Sequence, residues 1–302
     1  MQPATYRRLT LAALVMTATI IVTGAAVRLT GSGLGCSDWP KCEKDRLVAP
    51  AQFHAVVEFV NRVFTGVMGV ALIVAILASL ARQPRRRDLT WLSVALAAGV
   101  VGQALVGALV VKTDLNPSAV ILHFLLSMVM VAAGMVLHQR ASEGPGPYAS
   151  RVTSSRRLHA RLVVGLAAVT IVAGTVVTGT GPHGGDERAR RFGFEITQVA
   201  RVHSGAMWLL LLATVLLAVR VHGHADAAVL ARPTEIVLAV IVAQGAVGYL
   251  QYALDVPPGL VAIHVAGSVA LWIAVWRLLL ATRRPSGADV EVSLRTPVPA
   301  RT

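Results

Sequence analysis

The chain has 302 residues, of which 55% are hydrophobic and only 14% are charged. With a mean hydropathy of +0.66, it has more apolar surface than one water-soluble core could hide, which excludes a soluble globular protein. The formal net charge is +13, but no soluble basic domain is present, so we expect contact with anionic membrane lipid and not with nucleic acid.

Eight apolar segments are long enough to cross a bilayer as helices, which takes about 20 residues each. In chain order they span residues 10–28, 54–81, 89–111, 118–138, 158–178, 198–220, 234–252 and 258–282. None of them shows the alternating pattern of a membrane β-barrel. The predicted fold class is an all-α integral membrane protein with eight transmembrane helices.

The arginines predict the orientation of these helices. If successive helices alternate in direction, one side of the membrane receives Arg7, Arg8, Arg82, Arg85, Arg86, Arg87, Arg140, Arg151, Arg156, Arg157, Arg220, Arg232, Arg283 and Arg284. By the positive-inside rule that side is cytoplasmic. We therefore expect a multi-pass protein of the cell membrane, with the N-terminus and the C-terminus both inside.

Two stretches of the chain repeat each other at an offset of 141 residues, at residues 103–123 and 244–264. Each begins with glutamine, has glycine four residues later and ends on a histidine within an apolar run. Helix 1 also matches helix 5, through residues 22–27 and 172–177. This second match predicts that the N-terminal segment is a retained helix and not a cleaved signal peptide.

The duplication predicts two repeated four-helix halves. The N-terminal half covers residues 1–138 and the C-terminal half covers residues 158–284. Between them lies a cytoplasmic linker, residues 139–157, whose glycine, proline and serine residues favour flexibility. The polar, proline-containing tail at residues 285–302 is predicted to be disordered.

Four polar residues are predicted at similar depths in helices 2, 4, 6 and 8. Asn61, His123, His203 and His264 each lie about five to seven residues from the outer end of their helix, or roughly 7 to 11 Å deep. Ionisable groups inside a membrane are costly and mark functional sites. A lone buried histidine is more often a packing residue, but paired histidines at equal depth favour ligation of a planar metallomacrocycle.

The first outer loop, residues 29–53, contains the only two cysteines, Cys36 and Cys42. They are either inert thiols or a disulfide. Because this loop is predicted to lie outside the cytoplasm, where disulfides persist, a disulfide is favoured. The closed ring is short, which limits its entropic stabilisation and leaves a redox or docking role open.

The loop at residues 30–42 (Thr-Gly-Ser-Gly-Leu-Gly-Cys-Ser-Asp-Trp-Pro-Lys-Cys), the Glu-Phe-Val-Asn-Arg cluster at 58–62 and the three histidines resemble the heme A synthase family. The resemblance extends over all eight helices. It implies that His203 and His264 bind a b-type heme in the C-terminal half, and that substrate heme O binds near His123 in the N-terminal half. The implied activity is that of an oxidoreductase, which oxidises the ring methyl of heme O to a formyl group and yields heme A for terminal oxidases.

The resemblance also implies roles for neighbouring residues. Glu58 matches a carboxylate beside the substrate, so it is a catalytic candidate with His123; its alternative role is an ion pair with Arg62, and the two roles are compatible. Arg62 and Arg201 are candidates for binding heme propionates, since a guanidinium suits a carboxylate. Many family members have histidine where this chain has Asn61. We therefore expect one iron ligand, and an open coordination position, in the N-terminal half.

Two other functions compete with this one. A diheme b-type membrane cytochrome that only transfers electrons would explain the histidines and the duplication, but not the cysteine loop with Glu58 downstream. A transporter with parallel repeats would place its polar residues nearer the membrane midplane. For a synthase, the expected partners are heme O synthase as substrate donor, an electron-transfer partner of unidentified nature and membrane lipid. Assembly as a homo-oligomer is compatible with the sequence.

Overall fold

A computed structural model describes residues 1–225 and 227–286 of the chain. This part contains eight α-helices: α1 Pro3–Leu29, α2 Phe53–Ala81, α3 Arg87–Lys112, α4 Pro117–Ser142, α5 Ser154–Thr180, α6 Ile196–Val221, α7 Ala227–Ala253 and α8 Pro258–Ala281. Each is long and apolar enough to cross a membrane. The predicted all-helical fold with eight membrane-spanning helices is confirmed.

Seven of these eight helices are longer than the apolar segments that predicted them, and α8 ends one residue earlier than predicted. Helix α1 begins at Pro3 and α7 begins at Ala227, each seven residues before the predicted start. The added turns contain arginines, Arg7 and Arg8 in α1 and Arg232 in α7, which form helix well but would not lie in hydrocarbon. Hydropathy detects only the apolar part of such a helix, so it misses these turns.

The α3–α4 and α7–α8 turns have the same backbone shape. Asp114 and Leu115 have φ angles of 50° and 57°, and Asp255 and Val256 have φ angles of 56° and 60°. Two successive non-glycine residues in the left-handed region are uncommon. In both turns a proline then occupies the first turn of the following helix, where its missing N–H is not needed.

The helices form two groups of four, in which consecutive helices pack together and the first packs on the fourth. The two groups meet through α1, α4, α5 and α8. At this junction the indole N–H of Trp272 in α8 donates a 2.8 Å hydrogen bond to the carbonyl of Met128 in α4. The junction is buried, and its core includes Leu14, Val131 and Val275.

Two short strands connect the predicted linker to the segment after α8. Strand β1, Tyr148–Ser150, pairs antiparallel with β2, Arg283–Pro285, and the amide of Ser286 donates to the carbonyl of Pro147. The predicted linker therefore contains the end of α4, β1 and the start of α5. Of the predicted tail, Pro285 lies in β2, and residues 287–302 fall outside the described residues.

The two ends of the bundle differ in composition. We call the end with β1 and β2 the arginine end, because the arginines that predicted the orientation of the helices lie there. The opposite end carries the loop between α1 and α2, the loop between α5 and α6, and the two tight turns. We call it the disulfide end, and all four residues of the predicted polar layer lie closer to it.

Candidate functional site

Two histidines face each other in the C-terminal group of helices. The rings of His203 on α6 and His264 on α8 have centroids 6.2 Å apart and planes inclined at 80°. His203 Nδ1 lies 2.9 Å from the backbone carbonyl of Thr170 on α5. Because a carbonyl can only accept, Nδ1 of His203 carries the proton and Nε2 remains available as a ligand.

The separation of these rings fits two ligands of one metal. A histidine nitrogen lies roughly 2 Å from a bound metal and roughly 1 Å from its own ring centre, so opposed imidazoles have centres roughly 6 Å apart. The 6.2 Å between His203 and His264 matches this value. No group of three or more His, Cys, Asp or Glu side chains that could hold a metal ion occurs within the described residues. Two histidine nitrogens are too few for a bare metal ion. They suit a metal in a macrocycle, because the macrocycle itself supplies further nitrogen ligands.

The N-terminal group has one histidine in the corresponding layer. His123 on α4 is partly buried, and its Nδ1 is buried with no hydrogen-bond partner among the residues described. Asn61 on α2 instead accepts a 2.8 Å hydrogen bond from the hydroxyl of Thr23 on α1. Its side-chain oxygen is therefore directed to a neighbouring helix, and His123 is the stronger donor for iron.

The depths of these four residues in their helices are similar. Asn61 lies eight residues after the first residue of α2, His203 seven after that of α6, and His123 and His264 six after those of α4 and α8. All four helices begin at the disulfide end. The structure therefore brings the four residues into one layer, near the depth that the sequence predicts.

Glu58 is a carboxylate on α2, one turn before Asn61. It is 6% exposed, and its Oε2 accepts a 2.7 Å hydrogen bond from the backbone amide of Cys36. Its Oε1 accepts from Arg62 Nε at 3.1 Å and also from Arg62 Nη2, one turn along α2. The ion pair considered from the sequence is present in the structure.

Arg62 also holds the loop between α1 and α2. Its Nη1 donates to the carbonyls of Asp38 at 2.9 Å and Lys41 at 3.2 Å. These contacts compete with the propionate-binding role expected for Arg62. Arg201, the other candidate, is exposed on α6 and makes no hydrogen bond or ion pair that the described part of the chain shows.

The cysteines of this loop are joined. Cys36 and Cys42 form a disulfide with Cα atoms 4.4 Å apart, and both are buried. The predicted disulfide is confirmed. At Gly35 a Cβ atom would lie 2.2 Å from the carbonyl oxygen of His54 at the start of α2, so only glycine allows the loop to approach the helix this closely.

Contacts between the two loops of the disulfide end were not evident from the sequence. The amide of Gly33 donates a 2.7 Å hydrogen bond to the carbonyl of Gly185 in the loop between α5 and α6. In that second loop, hydrogen bonds from Arg188 lower the pKa of Asp186, and burial lowers the pKa of Arg191. The two loops therefore form one cover at the disulfide end, although only the first contains cysteines.

The family of the chain follows from a sequence comparison. The profile of the cytochrome oxidase assembly protein family (COX15-CtaA) matches residues 7–182, more than half of the chain. The chain belongs to this family. The match includes the cysteine loop, Glu58, Arg62 and His123, so this family assignment covers the whole N-terminal group of helices.

Individual relatives are similar to parts of the chain. The heme A synthase of Geobacillus thermodenitrificans is 38% identical over 100 residues, which cover 32% of this chain and 30% of that protein. The heme A synthase of Lysinibacillus sphaericus (strain C3-41) is 30% identical over 119 residues, or 39% of each chain. The heme A synthase of Shouchella clausii (strain KSM-K16) is 28% identical over 165 residues, which cover 53% of this chain and 55% of that protein. The matched stretches therefore span less than two thirds of each of these relatives.

Proposed function

We propose that this protein is a heme A synthase, which oxidises the ring methyl of heme O to a formyl group. The observation that carries the proposal is the unequal donor set of the two halves. His203 and His264 face each other at 6.2 Å, whereas His123 has only Asn61 in the matching layer. This asymmetry supports one site for a resident heme and another for a heme that reacts.

In the C-terminal half, His203 and His264 would hold heme b. A heme b with two imidazole ligands supplies reversible one-electron transfer. Thr170 fixes the tautomer of His203 through its carbonyl, and such an outer hydrogen bond also raises the basicity of the ligand. Both histidines are partly buried, which would limit the competition of water for the ligand nitrogens.

In the N-terminal half, His123 would hold the iron of substrate heme O. With His123 as its single protein ligand, that iron would keep an open coordination position, which oxygen chemistry requires. Glu58 lies one turn from Asn61 on the same helix and would accept protons released as the methyl group is oxidised. Its hydrogen bonds to Cys36 and Arg62 would keep the disulfide loop closed over this proton acceptor.

The remaining parts of the proposal concern topology and partners. The matching α3–α4 and α7–α8 turns support two repeated four-helix halves, and the arginine end would face the cytoplasm with both termini. The setting is the cell membrane. Heme O synthase would donate the substrate, a separate partner would exchange electrons with this protein, and a homo-oligomer is compatible with the exposed apolar helix faces.

Coexpression with a heme O synthase, in a host that lacks heme A, tests the proposal. Pigments extracted from the purified protein are separated by chromatography and identified by mass. Wild-type protein should yield heme A beside heme B. His123→Ala should keep the low-spin heme b spectrum but accumulate heme O, whereas His203→Ala should lose that spectrum. Heme B as the sole pigment of the wild type would overturn the synthase proposal in favour of a diheme cytochrome.

A further inference from the structure

The histidines of α4 and α8 are each contacted by a glutamine and a glycine, which lie one turn apart on the preceding helix. On α3 they are Gln103 and Gly107, which we call the N-terminal pair. On α7 they are Gln244 and Gly248, which we call the C-terminal pair. Their repetition is evident from the sequence, but the proposed chemistry assigns them no role.

Both glutamines hydrogen-bond to the backbone of the histidine itself. Gln103 Nε2 donates to the carbonyl of His123 at 3.1 Å and to the hydroxyl of Ser127 at 2.6 Å. Gln244 Nε2 donates to the carbonyl of His264 at 2.8 Å. A carbonyl has two lone pairs, so that of His264 can accept this bond beside its helical one. The carbonyl of His123 also accepts from the Ser127 hydroxyl at 3.0 Å. Each glutamine bond ties the histidine-bearing turn to the neighbouring helix.

Both glutamine side chains that make these hydrogen bonds are buried. Gln103 and Gln244 are 7% and 8% exposed, and a buried amide without a partner is costly. In the C-terminal half, Gly267 lies against the glutamine side chain, and a Cβ at this position would lie only 2.5 Å from Gln244 Oε1. The glutamine side chain therefore has little freedom to leave the carbonyl that it contacts.

The glycines leave space for the imidazole rings. A Cβ on Gly107 would lie 3.5 Å from His123 Cε1 and 4.0 Å from its Nδ1, and a Cβ on Gly248 would lie 3.3 Å from His264 Cε1 and 3.8 Å from its Nδ1. In both halves the same ring edge rests against the neighbouring helix. Alanine at Gly248 would therefore require the ring to shift by a few tenths of an ångström, whereas the Cβ of alanine at Gly107 would make an ordinary van der Waals contact.

Packing matters here because no hydrogen bond orients these rings. Nδ1 of His123 and Nδ1 of His264 are buried without a partner among the described residues. His203 differs, since its Nδ1 donates to Thr170. We therefore attribute the orientation of His123 and His264 to the glutamine hydrogen bond on the histidine carbonyl and to the contact of the ring with the glycine.

We infer that the N-terminal and C-terminal pairs are positioning residues, which set the height and ring angle of His123 and His264 toward heme. The inference rests on the proposed function, because it requires heme at these histidines. The glutamine fixes the turn that carries the histidine, and the glycine fixes the plane of its ring. The C-terminal pair acts on the resident heme and the N-terminal pair acts on the substrate.

The C-terminal pair is tested with Gln244→Met, which keeps the length but removes the donor, and Gly248→Ala. Gly165→Ala on α5 is the matched control, because a Cβ there meets nothing within 4 Å. Purified holoprotein is assayed for heme loss to apomyoglobin, midpoint potential and low-spin electron paramagnetic resonance, which depends on the angle between the imidazole planes. Both test variants should lose heme b about tenfold faster or more, with a shifted resonance spectrum, and Gly165→Ala should match wild type.

The N-terminal pair supplies an internal comparison. Gln103→Met and Gly107→Val should leave the heme b spectrum and potential unchanged while heme O accumulates at the expense of heme A. The inference would be overturned if Gln244→Met and Gly248→Ala retained heme as wild type does, with the same potential and resonance spectrum. That result would leave the proposed function intact. Wild-type protein without low-spin heme b would overturn the heme site itself, and with it the inference. Thermal unfolding and size-exclusion profiles of each variant identify a variant that has only lost its fold.

Discussion

Replacing Glu58 with alanine should release the disulfide loop from α2. The substitution removes the acceptor of the Cys36 amide and both acceptor contacts of Arg62. Removing one partner of a buried ion pair costs about 3 to 5 kcal/mol. The Glu58 side chain is 8% exposed but that of Arg62 is 20% exposed, so solvent can hydrate part of the Arg62 charge that is left without a partner. We therefore expect the free energy of unfolding to fall by about 3 kcal/mol, the lower end of this range.

The isosteric variant separates the structural role of Glu58 from its proposed chemistry. In Glu58→Gln the side-chain oxygen can still accept from the Cys36 amide. The amide NH2 group then faces Arg62, so the charge and the hydrogen bonds that Arg62 donates to Oε1 are lost. We expect a smaller loss of about 1 to 2 kcal/mol. If Glu58 also accepts protons, this variant should make little heme A although its loop stays in place.

Two measurements follow the loop. Thermal unfolding in detergent gives the change in stability, and the rate of trypsin cleavage at Lys44 and Arg46 reports opening of the loop. Cleavage should be fastest in Glu58→Ala and close to wild type in Glu58→Gln. Wild-type stability and cleavage in Glu58→Ala would refute the anchoring role. Wild-type heme A production in Glu58→Gln would leave the ion pair as the role of this residue.

Three further predictions concern the same end of the molecule. Asn61→His should fold, because this position is only partly buried, and should shift bound substrate heme to a low-spin spectrum; an unchanged spectrum would show that this position does not face the iron. Cys36→Ser should lower heme A output more than it lowers the unfolding temperature, and equal output in wild type and variant would argue against a role of the loop in turnover. The ion pair with Arg188 lowers the pKa of Asp186 below its usual 3.8, so its small stabilisation is complete above that value and is lost as the pH falls through the lower folded-state pKa. Asp186→Asn should therefore reduce the pH dependence of unfolding below pH 4, and an identical pH profile would contradict this assignment.

Hydropathy and periodicity alone predicted the eight helices, because the length and composition needed to cross a bilayer are properties of each segment by itself. The depths of His123, His203 and His264 follow from the same information, since helical rise converts a residue count into a distance. The cysteine pair was also predictable. With two cysteines six residues apart in one loop, no other pairing within the chain exists.

Only the tertiary structure decided how these elements are connected. The separation of 6.2 Å between the rings of His203 and His264 depends on how α6 packs against α8. The sharing of Glu58 between Cys36 and Arg62 depends on the path of a loop that only Gly35 allows to approach α2 so closely. Such contacts join residues that are distant in sequence or lie in irregular backbone, where neither periodicity nor spacing carries information.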